Sequence, residues 1–268
     1  KKFAPEAKIM HIDIDPAEIG KNIEVHYPLN GNIKKILKQL ISKVDKRKSS
    51  EWADKIISWK KEFPLKYQND GVLRPHYILE RIYELTKGDA IITTEVGQNQ
   101  IWAAQIYKYT NQRQFISSGG LGTMGFGLGA CIGAQIGRPD KKVINVAGDG
   151  SFRMNLTELA TAVEYKVPII VALLNNHVLG MVRQWQELFY DSRFSSTTID
   201  RGTNFVALAE AFGAIGINVT KPEEVDDAIN RALASKDRPV VINFEIDRDD
   251  KVFPIVPPGA PISELIEE

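Results

Sequence analysis

Two polar segments, each at the end of an apolar run, contain the residues best suited to chemistry. Asp149, within a Gly-Asp-Gly triplet, follows the run 142–147, and Asn176 closes an Asn-Asn pair after the run 168–174. A carboxylate and an amide oxygen are hard ligands, suited to Mg²⁺ rather than to zinc or copper. Two protein ligands do not fill an octahedral shell, and Mg²⁺ commonly completes it with phosphate oxygens and water. The pair therefore predicts a magnesium–phosphate site.

The elements around these segments must bring them together. The runs 142–147 and 168–174 are predicted strands, and 155–166 is a predicted helix between them. A right-handed crossover makes such strands parallel and usually neighbours, so that both carboxyl ends lie at the edge where α/β sheets bind ligands. Gly148 and Gly150 let the backbone approach phosphates closely, and the following helix can direct its first amides at them. A lone Gly-Asp-Gly would suit an ordinary turn, but its link to Asn-Asn is far more specific.

The same alternation of strands and helices extends over most of the chain from Arg74. Continuous apolar strands indicate a parallel sheet covered by helices on both faces, an α/β doubly wound fold. The predicted helices are 75–87, 98–107, 119–137, 155–166, 178–190, 205–212 and 222–235, and the predicted strands are 90–96, 114–117, 142–147, 168–174, 214–219 and 239–246.

The first part of the chain predicts the end of another domain. A strand at 8–15, a helix opened by Pro16 and a helix at 33–44 are too few to fold alone. Polar residues 45–50 suit a linker, with a helix at 52–61 beyond it. We therefore predict a domain remnant at 1–45, a linker with one helix at 46–72, the main domain at 73–250 and an irregular, proline-rich tail at 251–268.

Composition excludes several classes of function. Lys and Arg total 34 and so do Asp and Glu, so no long-range field attracts nucleic acid or a membrane surface. The single cysteine, Cys131, excludes an internal disulfide, fits a cytoplasmic location and lies where a buried, inert thiol is expected. The uncharged stretch 119–137 has eight glycines in 19 residues, which favours a buried helix over a membrane span. The chain starts without Met or a signal peptide, as expected of a piece of a longer polypeptide.

A competing motif precedes the metal pair. Residues 120–125, GLGTMG, match the G-x-G-x-x-G pattern of dinucleotide-binding folds, and Asp140 lies 20 residues beyond the first glycine. A ribose ligand belongs at the end of the next strand, however, whereas Asp140 is in a predicted turn. The nicotinamide hypothesis is therefore the weaker one.

Longer segments carry a family resemblance. GDGSFRMNLTELATAVEYKVPIIVALLNN, at 148–176, is similar to the thiamine-diphosphate signature. EVGQNQIWAAQIY (95–107), SGGLGTMGFGLGACIGA (118–134), NNHVLGMVRQWQELFY (175–190) and VPPGA (256–260) resemble acetohydroxyacid synthases in particular. The resemblance implies condensation of pyruvate with a second 2-ketoacid, pyruvate or 2-ketobutyrate, in branched-chain amino-acid synthesis. It implies thiamine diphosphate, Mg²⁺ and FAD as cofactors.

The resemblance also assigns site residues. Asp149, Asn176 and the backbone carbonyl of Val178 would hold the metal. Gln98 and Asn99 would contact the diphosphate; the family usually has His at position 99, and an amide can still donate. The implied cofactor-binding residues are Val96, Gly97, Gln98, Asn99, Gly122, Met124, Gly148, Asp149, Gly150, Ser151, Asn176, Val178, Leu179, Gly180 and Met181.

Three of the implied residues would act in catalysis. Met124 would lie between the two cofactor rings and hold their bent arrangement, although ordinary core packing also suits a methionine. Met181 and Trp185, four residues apart on one helix face, would line the substrate pocket, with Trp185 favouring 2-ketobutyrate as the second substrate. Their simpler interpretation is a packed Met–aromatic pair. His177 is expected to be a solvent-facing loop residue.

The first segment resembles the end of the family's central, FAD-binding domain. Asp13 and Ile14 fall where adenine-side contacts are made, and Asn32 replaces the usual Asp of a Gly-Asp-Ala turn. The family supplies a glutamate from an N-terminal domain of the partner subunit, which no segment here matches, so this polypeptide alone is predicted to be inactive. The resemblance further implies a homodimer or homotetramer and allows a regulatory small subunit.

The sequence is also compatible with two other classes of function. A related decarboxylase or pyruvate oxidase would share the metal pair but should lack the Met181–Trp185 arrangement. A nucleotide-binding or assembly module would lack catalysis altogether. Glycines at 125, 129, 133 and 137 form a helix ridge that suits close packing either across subunits or within one core.

Overall fold

The computed structural model describes residues 3–46, 49–65, 67, 70–199 and 202–267. They form two compact units. One contains the described residues up to 65 together with Ile255–Glu267, and the other is Tyr67–Pro254. Five residues of the expected linker with one helix (46–72), namely 47, 48, 66, 68 and 69, lie outside the described residues.

The first unit has two strands and two helices. Strands β1 and β2 pair in parallel, with Asp13 opposite Asn30. Asn32 caps the first helix, because its side-chain oxygen accepts from the backbone N–H groups of Lys34 and Lys35. The elements are β1 Met10–Asp13, β2 Tyr27–Asn30, α1 Ile33–Ile41 and α2 Glu51–Glu62.

Two local expectations fail in this unit. No helix follows Pro16, because two aspartate side chains fold the segment into turns: Asp13 Oδ1 accepts from Asp15 N at 2.8 Å, and Asp15 Oδ1 accepts from Ala17 N at 2.9 Å. The structure also contains strand β2, which was not predicted from the sequence; the strand includes a proline, and only one of its four residues is not exposed.

The second unit is a six-stranded parallel sheet in the order β4-β3-β5-β6-β8-β7, which confirms the α/β doubly wound prediction. The strands are β3 Ile91–Thr94, β4 Phe115–Ile116, β5 Val143–Gly148, β6 Ile170–Asn175, β7 Ile215–Val219 and β8 Val240–Glu245. The helices are α3 Pro75–Leu85, α4 Gln98–Ile106, α5 Phe126–Gly137, α6 Asp149–Phe152, α7 Leu159–Glu164, α8 Gly180–Phe189, α9 Phe205–Ala211 and α10 Val225–Ala234.

Alternate side chains of the central strands enter two cores, one on each face of the sheet. On β6, Ile170, Ala172 and Leu174 belong to one cluster, whereas Val171 and Leu173 belong to the other. This period of two explains why every residue of β6 is buried and why the sequence shows an unbroken apolar run.

Two predicted helices differ from those observed. The glycine-rich helix begins at Phe126 rather than Gly119, because residues 119–125 form turns and Gly125 has a left-handed φ of 87°. The helix expected at 155–166 is a 3₁₀ turn, Leu156–Glu158, followed by the short α7. The segment just after Asp149 is instead the single-turn helix α6.

Helix α5 packs closely on only one side. A Cβ at Gly127 would lie 2.7 Å from the backbone of Thr94 and Glu95, whereas one at Gly129, Gly133 or Gly137 would meet nothing within 4 Å among the described residues. Close packing within the core of this chain therefore does not explain why these three positions of the ridge are glycine. Cys131 is fully buried, as expected. None of the helices in the described part of the chain is both long and apolar enough to cross a membrane.

Candidate functional site

A cavity of about 260 Å³ lies at the carboxyl ends of β3, β5 and β6. Strands β5 and β6 are direct neighbours, with Gly148 opposite Leu174, so the segments after them meet at this edge. The lining residues are Val96, Gly97, Gln98, Asn99, Trp102, Gly122, Met124, Gly148, Asp149, Gly150, Ser151, Leu174, Asn176, Val178, Leu179, Gly180, Met181 and Val182. All of the residues expected to hold thiamine diphosphate or the metal are among them; Trp102, Leu174 and Val182 were not expected.

Asp149 is the most unusual group in this cavity. It is only 1% exposed, and neither carboxylate oxygen has a hydrogen-bond partner among the described residues. Burial raises the pKa of Asp149 to about 6, while the guanidinium of Arg153, 4.0 Å away, and then His177 oppose the rise. A buried carboxylate without a donor is costly unless something positive binds it. The donor set fits a divalent cation.

The second ligand lies on a loop held by strand-like pairing. Val178 N donates to Asn176 Oδ1 at 3.3 Å, and Val178 pairs antiparallel with Thr198. Leu179 N donates to Thr197 O at 2.8 Å, and Ile199 N donates to His177 O at 2.9 Å. The segment 197–199 therefore fixes the backbone around the expected metal ligands.

His177 has a structural partner instead of facing only solvent. Its Nε2 lies 2.8 Å from Glu245 Oε2, and its φ of 61° is left-handed. Glu245 Oε1 also accepts from Asn175 Nδ2 at 3.2 Å. The carboxylate at the end of β8 thus helps to hold the Asn-Asn-His turn in a backbone conformation that a non-glycine residue rarely adopts.

Glycines allow the loops of the site to approach one another. A Cβ at Gly150 would lie 2.7 Å from Leu179 Cδ2 and 3.0 Å from Ile199 Cδ1. A Cβ at Gly180 would lie 2.9 Å from Asn176 Nδ2 and would overlap the Gln98 amide. A Cβ at either position would therefore displace neighbouring side chains of the site, so glycine suits both positions for packing reasons, in addition to any approach to a phosphate.

The amide groups of Gln98 and Asn99 are already engaged by the protein. Asn99 Nδ2 donates to Glu95 O at 3.0 Å and to Val146 O at 2.8 Å, so both of its hydrogens are used. Gln98 Nε2 likewise donates to Gln184 Oε1 at 3.0 Å and to Asp250 O at 2.8 Å. In this arrangement neither side chain has a free hydrogen to donate to a diphosphate, contrary to the expectation for Asn99.

Glu95 is a site residue that the sequence did not single out. It is fully buried; its Oε2 accepts from Gly125 N at 2.9 Å and Ser151 Oγ at 2.7 Å, and its Oε1 accepts from Leu128 N at 3.0 Å. It therefore caps α5 from β3 and joins the segment of Met124 to that of Ser151. The feature of the sequence that could have indicated this role is an acidic residue directly after the buried strand β3.

A second, wider groove of about 560 Å³ lies along α8. Met181 lines both the groove and the first cavity, and Trp185 contacts Phe189 edge to face with ring centroids 5.7 Å apart. Because Trp185 stays 37% exposed, it is not an ordinary core residue. The other lining residues are Val182, Gln186, Tyr190 and Arg193.

Gly122 and Met124 of the competing dinucleotide motif line the cavity, but the acidic residue that the motif needs does not. Asp140 precedes β5 and therefore lies at the amino edge of the sheet, opposite the cavity. Its carboxylate forms a two-point ion pair with Arg138, at 2.8 and 2.7 Å, in an exposed turn. Asp140 cannot reach a ribose at the carboxyl edge. The 20-residue spacing from Gly120 to Asp140 therefore does not support a nicotinamide cofactor.

Comparison with known proteins defines the class of this fold and site. Residues 95–244, more than half of the chain, match the family described as thiamine pyrophosphate enzyme, C-terminal TPP binding domain. The chain belongs to this family of thiamine pyrophosphate (thiamine diphosphate) enzymes. Residues 1–40 match the description thiamine pyrophosphate enzyme, central domain.

The similar proteins narrow the class further. Nearly all of the chain, 99%, aligns with the acetolactate synthase large subunit of Haemophilus influenzae at 38% identity, and 98% aligns with an acetolactate synthase of Mycobacterium leprae at 44% identity. The acetolactate synthase isozyme 2 large subunit of Escherichia coli is 40% identical over 99% of the chain. The aligned parts are 48%, 44% and 48% of these three proteins, so the chain spans about half of their length.

Proposed function

We propose that this chain is the diphosphate- and magnesium-binding part of an acetolactate synthase, which condenses pyruvate with a second 2-ketoacid, pyruvate or 2-ketobutyrate. The observation that carries the proposal is the buried Asp149 carboxylate, without a partner among the described residues, in one cavity with Asn176 and Met124. The similarity to acetolactate synthases over nearly the whole chain supports the choice of reaction.

In this proposal the metal is held by Asp149, Asn176 and the backbone carbonyl of Val178. Mg²⁺ binds oxygen ligands and usually shares its shell with phosphate oxygens, which fits a carboxylate and an amide beside the glycines of the cavity. Arg153 partly offsets the negative charge of the site when no metal is bound, since its guanidinium is 4.0 Å from Asp149.

Thiamine diphosphate would supply the electron sink that lets the first ketoacid lose its carboxylate as CO₂; the former carbonyl carbon of that ketoacid would then bond to the carbonyl carbon of the second. The residues of the protein would bind the cofactor and the ketoacids and hold them in the orientation that the reaction needs. Met124 lines the cavity next to Gly125, whose N–H is fixed by Glu95, so this methionine has a defined place for supporting a bent cofactor. Met181 and Trp185 on α8 offer an apolar wall for the alkyl part of the second ketoacid.

The exposed Trp185 beside the cavity favours the carboligase over a related decarboxylase or oxidase. For the complete protein we propose a homodimer or homotetramer in the cytoplasm, with a small regulatory subunit as a possible partner suggested by relatives named as large subunits. We also keep the proposed division into a remnant (1–45), linker (46–72), main domain (73–250) and tail (251–268).

FAD is proposed for the complete protein only. Asp13 and Ile14 remain proposed adenine contacts, but the Asn32 oxygen already caps α1.

Binding should be tested by thermal denaturation and calorimetry with Mg²⁺ plus thiamine diphosphate, each alone, and NAD. We expect stabilisation only by the pair, because occupancy of the native site shifts unfolding by mass action. Asp149→Asn should abolish the effect, and the exposed Asp140→Asn should retain it. Stabilisation by NAD, or equal response of the two variants, would argue against the proposal.

The reaction is tested separately. The chain by itself should form no acetolactate, because the proposed family takes a glutamate from another domain. In the complete protein, Trp185→Leu should lower the yield of product from 2-ketobutyrate relative to that from pyruvate by about tenfold, the loss of roughly 1.4 kcal/mol of contact. An unchanged product ratio would refute the role of Trp185, and full activity of the isolated chain would refute the division of labour.

A further inference from the structure

Each residue of a short segment after β8 contacts a helix or the residue that precedes one. We call residues 249–252 the strap. Asp249 Oδ1 accepts from Arg183 Nε at 2.8 Å, and Lys251 Nζ lies 2.7 Å from Glu187 Oε1, so two ion pairs connect the strap to α8. Asp250 forms an ion pair with Arg74, the residue before α3.

Gln184 makes the central connection. Its Nε2 donates to Val252 O at 2.8 Å, and its Oε1 accepts from Val252 N at 2.9 Å, so its amide pairs with the strap as a neighbouring strand would. The same Oε1 accepts from Gln98 Nε2 at 3.0 Å, and Gln98 Nε2 also donates to Asp250 O at 2.8 Å. Every hydrogen-bonding atom of the Gln184 side chain is therefore used.

The chain of hydrogen bonds continues to the proposed metal ligand. Gln98 Oε1 accepts from Asn176 Nδ2 at 3.3 Å. A metal ion bound at Asn176 Oδ1 would polarise the Asn176 amide and fix the rotamer of that side chain. The fixed Asn176 would in turn favour one orientation of Gln98. Asn176, Gln98, Gln184 and the strap thus form one buried connection from the cavity to the surface of the unit.

Helix α8 contributes one residue, Gln184, to this connection. Gln184 is its only buried residue, at 2% exposure. Met181 and Trp185 lie on the same helix, one turn before Gln184 and directly after it, and both line the groove. A small rotation of α8 would therefore move both side chains relative to the cavity.

We propose that Gln184 is a positioning residue that couples occupancy of the metal–diphosphate site to the strap and thereby sets the orientation of α8. The inference rests on the proposed function, since it takes Asn176 as a metal ligand. The inference predicts that binding of Mg²⁺ and thiamine diphosphate in the cavity makes local unfolding of the strap rarer. This effect requires no contact between the ligand and the strap.

The test is hydrogen exchange of the chain with and without Mg²⁺ plus thiamine diphosphate, with affinity measured by calorimetry. In the unaltered chain, ligand should slow exchange at the Val252 N–H by about tenfold or more, because local opening must then also break the coupled bonds. Gln184→Leu should remove this slowing and weaken binding by about tenfold, since loss of a group that orients a metal ligand typically costs tenfold or more in affinity.

Gln135 provides a matched control. It is also a buried helix glutamine paired with backbone: its Nε2 donates to Lys141 O at 2.8 Å and its Oε1 accepts from Val143 N at 3.3 Å, at the opposite sheet edge. Gln135→Leu should lower stability similarly yet retain the ligand-dependent slowing at Val252. Gln184→Glu keeps the acceptor for Val252 N–H, so it should restore the slowing in part and serves also if Gln184→Leu does not fold.

The outcomes separate the two hypotheses. No binding of Mg²⁺ and thiamine diphosphate by the unaltered chain would overturn the proposed function, and the inference with it. Normal binding without slowing at Val252 would overturn the inference alone. Equal loss of slowing in Gln184→Leu and Gln135→Leu, or no rescue by Gln184→Glu, would reduce Gln184 to a general stabilising role and also overturn it.

Discussion

The buried Asp149 carboxylate makes the metal-free and metal-bound chains respond oppositely to one substitution. Asp149→Asn keeps the shape of the side chain and removes its charge. Because both oxygens lack partners among the described residues, the charge destabilises the metal-free fold. The same charge is the main attraction for Mg²⁺. We therefore expect the variant to be more stable than the unaltered chain in a chelator, and less stable with Mg²⁺ and thiamine diphosphate.

The magnitude follows from the pKa. Burial raises the pKa of Asp149 from 3.8 to about 6, a difference of about 2 units. At 1.36 kcal/mol per unit, ionisation of Asp149 costs the folded state about 3 kcal/mol at neutral pH. An unpartnered buried amide still costs about 1 kcal/mol or more. The expected net gain of the variant in chelator is therefore about 1–2 kcal/mol.

The sign of the pH dependence follows from the raised folded-state pKa. Between pH 3.8 and about 6, the folded Asp149 binds more protons than the unfolded one, so its contribution to stability falls as pH rises and levels off above 6. The advantage of Asp149→Asn should be absent near pH 4 and complete above pH 6.5. Metal affinity of the unaltered chain should fall as pH drops through 6, because the ion competes with the proton.

Urea denaturation of both chains from pH 5 to 8, in chelator and in saturating ligand, measures these free energies. Taking the difference between the two chains cancels other titrating groups, such as Asp250, whose pKa burial also raises to about 6. The reasoning is refuted if the variant is no more stable than the unaltered chain in chelator at pH 7.5. It is equally refuted if the difference does not shrink at low pH.

Four further substitutions test the packing of the site and of helix α5. Gly180→Ala, which elsewhere in a helix would stabilise, should here weaken cofactor binding at least tenfold in calorimetry, because its Cβ overlaps the Gln98 amide; unchanged affinity would contradict this. Glu95→Gln should lower the free energy of unfolding by about 3 kcal/mol in urea, because an amide cannot accept all three hydrogen bonds of the buried carboxylate, and a loss below about 1 kcal/mol would disprove that role. Gly127→Ala should cost more than about 3 kcal/mol, whereas Gly133→Ala, on the open face of the same helix, should gain about 0.5–1 kcal/mol; similar melting temperatures for the pair would show that the close approach at Gly127 is not limiting.

The central sheet and the position of the metal pair could be predicted because they depend on local pattern and general rules of chirality. Strand β5 is apolar apart from Asn145 and β6 is apolar up to Asn175, and the connection between them has one preferred hand, so Asp149 and Asn176 had to reach the same edge. The family resemblance supplied the remaining residues of the cavity except Trp102, Leu174 and Val182.

The failures involve contacts between residues distant in sequence or competition between side chain and backbone. Nothing local shows that Glu95 caps a helix 30 residues later, or that the Asn99 hydrogens are taken by Val146 and Glu95. The missed turn at Pro16 arises because Asp13 and Asp15 bind nearby backbone amides and compete with a helix.

The adjacency of β5 and β6 also determines which changes in chain length the metal site can tolerate. Neighbouring strands are about 4.8 Å apart whatever the length of the connection between them. Extra residues inserted at the exposed turn around Tyr165, where the chain already reverses with Lys166 at a φ of 52°, should leave the ligand separation unaltered. Deleting a single residue within β6 would instead shift the end of the strand by one position, so that the side chains of Asn175 and Asn176 would each point to the opposite side of the sheet. The site would then lose its amide oxygen.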